Sequence, residues 1–523
     1  MQRAGFRCLA AIDFNTDAVT TLRQNLPDVP NVLERDLTTF SPKDLVPLIS
    51  GQTIDVIVGG PPCQGFSHAR RVDGSNYGVR MKADARRALY KEFLRYVDFF
   101  QPRVFVMENV LGLRWAAGGD YLTAVQREAR ELGKTAGKPG YRVHGQVEDS
   151  AQLGVPQKRH RQLIIGVRAD LPGYFPHELL RANRARMRDV TLGEAIMDLP
   201  ILRAGGGEDE RDYDRGRRLS FLKEYGFNGR CYLYKVLEVA KAKKLMNHTA
   251  RPHSDRDLRD FALLSEGESS AAAMRRGVKF EFPYDKSVFE DRFTRQSRFS
   301  RCSTIVAHLS KDGLMFIHPT QNRSITPREA ARIQSFPDWF CFPAARTKSF
   351  RLIGNAVPPL ISEAVGKTLA QFFSTPEENR PVTPYEAALR ASSPPVEPQV
   401  PGSLASARER LGGLMRPTLR ELRALPRDRF LSGWHALLWL FPELHPENAL
   451  DHGKHRITED SRIPEFSDRY ARSGWPVSLV LIGREAWRRY RKGEIPDEAF
   501  YCAAAQRAGL ESRRSIGLPA SRT

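Results

Sequence analysis

The sequence predicts an α/β protein: a parallel sheet covered by helices on both faces, followed by a smaller irregular domain and then a further C-terminal domain. Three observations predict it. Over the first 170 residues, short apolar runs alternate with stretches whose apolar residues recur at helical spacing, the pattern of strands joined by helical crossovers. The apolar runs at 6–12, 54–58, 104–107 and 163–167 are continuous, as strands buried on both faces must be. Between residues 374 and 402 lies a Pro- and Ser-rich stretch that reads as a linker.

Taken in order, those four runs are the expected buried strands, and 17–25 and 85–100 are expected helices between them. After about residue 185 the chain becomes Arg-rich, Gly-interrupted and weakly periodic through 201–300, which suggests a smaller irregular domain. Patterning returns from Gly313 to Phe373, with a helix over 360–372 whose first turn suits Pro358 and Pro359. The expected division is 1–185 and 313–375 for one catalytic domain, 186–312 for the irregular insertion, 376–402 for the linker and 403–523 for a separate domain. Four of the six tryptophans (Trp434, Trp439, Trp475, Trp487) fall in that last part, which argues for a folded core there.

Composition narrows the class. At 523 residues the chain is too long for one compact core. No run of 18 apolar residues exists to span a membrane, and the N-terminus lacks the apolar core of a signal peptide. Six scattered cysteines with no CxxC pair suggest neither a disulfide framework nor a zinc site, and fit a reducing, cytoplasmic setting. The net charge of +20 favours a polyanionic partner, most simply nucleic acid, against a plain basic surface. Residues 401–523 hold 21 Lys/Arg against 15 Asp/Glu, so there is no basic tail and folded surfaces must make any such contact.

In open α/β sheets ligands bind beyond the carboxyl ends of the strands. Here the first run ends in Asp13-Phe14, the segment NVLERDL in Asp36-Leu37, the third in Gly59-Gly60-Pro61-Pro62-Cys63 and the fourth in Glu108-Asn109. One edge thereby gathers three carboxylates, a cysteine and an amide, where an ordinary sheet would end in Gly, Asn and Ser turns. A lone cysteine is more often a buried structural residue. Cys63 instead sits in a Gly/Pro-rich turn, where a thiol near a helix N-terminus can become a nucleophile. The segment 68–87 after it is polar and basic, and its length of about 20 residues is unusual for a plain loop.

Five segments, GGPPCQGFS (59–67), MENV (107–110), VPQKRHR (155–161), HPTQNRSITPREAARIQSFPDWF (318–340) and IGNAVPP (353–359), resemble in order and spacing the signature motifs of the DNA cytosine-5 methyltransferase family. TLGEAIMDLP (191–200) and NHTARPHSD (247–255) resemble flanks of that family's target-recognition region. The resemblance covers about residues 4–373. It implies a Rossmann-like methyltransferase sheet, duplex DNA as partner, S-adenosylmethionine as cofactor and a target base turned out of the helix.

By the same resemblance Cys63 adds to carbon 6 of cytosine and Glu108 binds ring nitrogen 3 and the exocyclic amine. Asn109 shapes the turn, Arg159 and Arg161 converge on the same site, with Arg161 favoured for the carbonyl oxygen, and 68–87 closes over DNA. Asp13 binds the ribose hydroxyls, where the family more often has Glu. Phe14 packs on adenine, Asp36 accepts from its amino group beside Leu37, and Pro61 and Asn355 line the rest of the cofactor. No metal is implied.

Sequence selectivity is expected between the arginine motif and Gly313, where Arg and Lys can read guanine edges and phosphates. A restriction or phage-defence setting with a cognate nuclease, and a monomer on DNA, complete the expectation. An RNA cytosine methyltransferase and a DNA-binding pseudo-enzyme stand as alternatives.

One departure stands out. The family's sheet opens with a strand that enters a Gly-rich turn around the methionine part of the cofactor, whereas AGFRCLAAIDF aligns with the second strand. A sheet without its central strand would expose apolar edges and bind the cofactor poorly. Two explanations are open: a start codon upstream of Met1, or a decayed or split gene. The integrity of every later motif favours the first.

Overall fold

The computed structural model describes residues 1–61, 89–111, 120–133, 137–183, 189–226, 231–282, 293–311 and 313–380. All lie within Met1–Arg380, the first of two units into which the chain divides. Cys63, the segment 68–87 and the expected C-terminal domain 403–523 lie outside the described residues.

Strand β1 (Ala11–Asp13) leads into α1 (Thr16–Asn25). Asn15 caps that helix by accepting from the Ala18 amide, and Asp17 in the first turn complements its dipole. The chain returns as β2 (Val32–Glu34), parallel to β1 in the register Ala11↔Val32 to Asp13↔Glu34. Helix α2 (Pro42–Leu48) opens on a capping box between Ser41 and Asp44. Then come β3 (Val56–Gly59), α3 (Tyr90–Phe100) and β4 (Val104–Val110), with β4 parallel to β3.

The sheet that follows is mixed, not wholly parallel as the apolar runs predict. After α4 (Asp120–Glu131) the chain forms β5 (Tyr141–Asp149) and β6 (His160–Arg168), and β6 runs antiparallel to both β4 and β5 in the order β3-β4-β6-β5. The cause is local. A short turn, Ser150–Leu153, closes at Gly154 with φ 93°, and a reversal that tight can only pair its strands antiparallel. Among the described residues β1 pairs only with β2 and β3 only with β4, so each keeps one edge unpaired, and Val58 on β3 is 53% exposed.

Strand alternation distributes β4 and β6 between two faces. Val104, Val106, Leu163, Ile165 and Val167 face the main core with α13 (Pro359–Ser374; Leu360, Ile361, Val365, Leu369, Phe372). Phe105, Met107 and Ile164 face the other way, onto Phe93, Leu94 and Val97 of α3 and Val125 and Ala129 of α4.

Residues 190–245 join the main core through Leu192, Ile196, Tyr232, Leu237 and Leu245. Helix α5 (His177–Ala182) precedes this stretch, and α6 to α8 (Leu192–Ile196, Arg215–Glu224, Tyr232–Lys235) follow with the antiparallel pair β7 (Gly207–Arg211) and β8 (Leu245–Thr249). A second, smaller core of Phe261, Leu264, Ala273, Phe280, Phe282, Phe293, Leu314 and Ile317 is built around α9 (Asp255–Ala262) and α10 (Ser270–Arg275).

Helix α11 (Pro327–Ile333) and α12 (Arg346–Asn355) complete the unit. Arg332, fully buried, donates to Asp338 at 2.8 and 2.6 Å and pairs with Asp198, satisfying a charge that burial alone would make costly. Among the described residues no helix is long and apolar enough to cross a membrane.

Candidate active site

The site is built where β3, β4 and β6 end or begin. Glu108 lies on β4 opposite Leu163, and Arg161 lies on β6 opposite Val110. Their side chains, 15% and 11% exposed, meet with Arg161 Nε 2.8 Å from Glu108 Oε1. Burial raises the Glu108 carboxyl above its usual range, and the neighbouring cations Arg161 and Arg159 oppose that rise.

Gly59 is sterically constrained: a Cβ there would fall 2.7 Å from the Phe93 ring, whereas one on Gly60 would make an ordinary contact with Glu108 Oε2 at 3.4 Å. The carboxylate therefore lies directly on the turn that leads to Cys63. Asn109, 3% exposed, ties that turn down: its Nδ2 donates to the Pro61 carbonyl at 3.3 Å while its Oδ1 accepts from Val110 N at 2.9 Å.

Glu108, Asn109, Pro61 and Arg161 are thus brought together. Arg159 is directed elsewhere. It is 1% exposed, and its guanidinium donates to the backbone carbonyls of Ile305 (2.7 Å), Gly354 (3.3 Å) and Ala356 (2.9 Å).

Asp13 ends β1, with its carboxylate accepting from Asn15 N at 2.8 Å, and burial raises its pKa. Phe14 beside it is 69% exposed, uncommon for so large an apolar side chain. Asp36, beyond the end of β2, accepts from Thr38 N (2.9 Å) and Thr38 Oγ1 (2.8 Å), which hold its carboxyl below the usual range. Leu37 is half-buried against the cluster of Leu45, Ile49 and Tyr96. Asn355 is exposed at the last position of α12.

Two glutamines carry weight that sequence reasoning did not assign. Buried Gln157 donates to Gln334 Oε1 at 2.6 Å and accepts from Ile305 N at 3.0 Å, and Gln334 donates to the Ile353 carbonyl at 2.6 Å. Their places inside two motif segments were the available signal.

An α/β sheet whose strand ends carry acids, and whose Glu108–Arg161 pair lies against Gly60 just ahead of Cys63 in the sequence, fits a methyltransferase acting on a nucleic-acid base. The particular family follows from comparison: the model of the C-5 cytosine-specific DNA methylase family matches residues 1–371, and the chain belongs to that family.

Type II methyltransferase M.DdeI of Desulfomicrobium norvegicum is 32% identical over 389 residues, which span 71% of this chain and 85% of the relative. Type II methyltransferase M.AgeI of Thalassovita gelatinovora is 30% identical over 427 residues, 70% of this chain and 95% of the relative. A crystal structure of a candidate DNA modification methyltransferase encoded within an E. coli prophage superposes with a TM-score of 0.53 at 26% identity, covering 71% of this chain and 94% of that one.

Proposed function

We propose that this DNA cytosine-5 methyltransferase modifies cytosines in duplex DNA as the protective half of a restriction-modification or phage-defence system, with Cys63, Glu108 and Arg161 acting on the base. The observation that carries this reading is the Glu108–Arg161 pair at 2.8 Å, packed on Gly60 of the turn that leads to Cys63.

Carbon 5 of cytosine is a poor nucleophile. The Cys63 thiolate forms a bond to carbon 6, and the electrons displaced from the 5,6 double bond make carbon 5 enamine-like. Glu108, whose carboxyl burial raises above its usual range, hydrogen-bonds ring nitrogen 3 and offsets the charge developing on the ring, while Arg161 holds the base carbonyl oxygen. Once carbon 5 carries its fourth substituent, a base takes the carbon 5 proton, the 5,6 double bond reforms and Cys63 leaves as thiolate. Arg159 supports the site from behind.

The residues present fit S-adenosylmethionine: half-buried Asp13 suits ribose hydroxyls, the exposed Phe14 ring suits adenine, and Asp36 with Leu37, Pro61 and Asn355 would hold the remainder. When bound, that cofactor supplies the methyl group carbon 5 accepts.

Sequence selectivity belongs to residues between the arginine motif and Gly313. A cognate nuclease, a monomeric state on DNA and a cytoplasmic location complete the proposal. The RNA-directed alternative draws no support from relatives named as type II methyltransferases.

The test uses duplex DNA containing 5-fluorocytosine. Wild type is expected to remain covalently attached, because the fluorine cannot leave as the proton does, and Cys63→Ala is expected to bind DNA without attachment or turnover. Covalent attachment by Cys63→Ala would assign the nucleophile elsewhere.

A further inference from the structure

We infer that Arg159 is a positioning residue that registers the Asn355 turn, at the methyl-donor end of the reaction, against the Glu108–Arg161 pair at the base end. The inference rests on the functional reading above.

The Arg159 guanidinium donates to Gly354 and Ala356, the carbonyls of the residues on either side of Asn355, and to the Ile305 carbonyl. Both peptide neighbours of Asn355 are thereby held by one side chain. The third carbonyl belongs to a segment that touches the same turn. A Cβ on Gly354 would lie 2.3 Å from Ala307 N and from the Val306 carbonyl carbon, so residues 305–307 rest on Gly354 backbone to backbone. Arg159 bonds both sides of that contact.

Gln157 and Gln334 close the arrangement. Ile305 N donates to Gln157 Oε1 (3.0 Å), Gln157 Nε2 to Gln334 Oε1 (2.6 Å), and Gln334 Nε2 to Ile353 (2.6 Å) and Ala356 (3.3 Å). Toward the base, Arg159 leads into β6, where Arg161, two residues on, meets Glu108 at 2.8 Å. The charge on Arg159 also acts on the Glu108 carboxyl, which places the two groups within electrostatic reach.

A buried guanidinium is costly, and a planar fork that reaches carbonyls on two segments is what a lysine ammonium cannot reproduce. A methyl transfer tolerates little misplacement: a shift of about 1 Å costs on the order of 100-fold in rate.

The test separates the two ends. Release of tritium from carbon 5 of cytosine in DNA, without methyl donor, reads addition at carbon 6 and so the base end alone. Methyl incorporation reads both ends. Arg159→Lys is expected to keep tritium release within about threefold of wild type, while methyl transfer falls roughly 100-fold and KM for S-adenosylmethionine rises. Gln334→Leu keeps the charge and removes the bonds to Ile353 and Ala356; it should give the same split, more weakly, and it carries the test should Arg159→Lys not fold.

A general loss of structure would lower both readouts together, and that result overturns the positioning role. So does a variant pair indistinguishable from wild type. Wild type that neither exchanges nor methylates overturns the functional reading itself, and this inference with it.

Discussion

Glu108 and Arg161 meet at 2.8 Å across the antiparallel boundary between β4 and β6, so the acid and the cation of the site come from strands running in opposite directions. Such a pair is fixed by the sheet ladder itself rather than by a loop. It also sets two opposing influences on one carboxyl. Burial raises its pKa and is the larger cause, while Arg161 pulls it down.

Arg161→Met leaves only Arg159 to oppose the effect of burial. The carboxyl then stays protonated to higher pH, so the pH at which methylation declines should move upward relative to wild type, while the maximal rate falls about 100-fold from the lost contact to the base. Because the folded pKa is raised, the stability contributed by protonated Glu108 is full below its unfolded value and is lost as pH rises through the folded one. Glu108→Gln should flatten that dependence. Rate profiles over pH for wild type and Arg161→Met check it, and an unmoved decline would detach Glu108 from the pH dependence.

Three histidines predict acid sensitivity. Burial depresses His248 and His253 to about 4 and His318 to about 3, from 6.5. His248 is held as the neutral ring, between the Thr326 hydroxyl on Nδ1 at 3.0 Å and the Pro200 carbonyl on Nε2 at 3.1 Å. Folded pKa values below the unfolded ones place the stability above pH 6.5, and it is lost as pH falls from there toward 4. The unfolding free energy should drop by up to about 1.4 kcal/mol per pH unit for each such histidine. Urea midpoints between pH 7 and 5 measure the slope, and His248→Gln should reduce it by about one proton. A flat wild-type profile would contradict the buried neutral state.

Much of this was legible in the sequence, and the failures have physical causes. Continuous apolar runs marked β4 and β6, because strands covered on both faces have nowhere to place polar residues, and the run of β3 was equally apolar although Val58 is exposed. Strand β5, YRVHGQVED, carries no such run. Its buried Tyr141 and Val143 alternate with Arg142 and His144, so no continuous run announces it. Direction was also invisible, since a run of valines and isoleucines is the same read either way, and only the Gly154 turn makes β6 antiparallel. Resemblance favours Arg161 over Arg159 for the base, but VPQKRHR does not show where either side chain goes. What separates them is that one finds backbone carbonyls far along the chain and the other finds a carboxylate.

Removal of the C-terminal part should begin after Arg380. That residue is 6% exposed, stacks on Phe372 at 5.1 Å and donates to the Thr375 carbonyl at 3.1 Å, so a cut at residue 375 would uncover Phe372. A chain of residues 1–380 should methylate the same DNA sequence as the full chain, with only its affinity or a partner lost. Methylation sequencing of hosts expressing each form compares them, and a changed recognition sequence would show that 381–523 takes part in reading DNA.

The two cores of the first unit set the terms on which its specificity could be transplanted. The aromatic cluster of Phe261, Phe280, Phe282 and Phe293 is assembled within 255–293, so a graft of that stretch between relatives carries its aromatic packing with it and leaves Cys302, Ile305, Leu309 and Phe316 in the main core. A graft cut at residue 186 does not. It would lift Leu192, Tyr232 and Leu245 out of the core beneath the sheet and take Asp198 from Arg332, leaving a buried guanidinium short of one of its two carboxylates. With selectivity proposed to lie in this region, exchange of 255–293 therefore disturbs less of the main core than exchange from 186 onward.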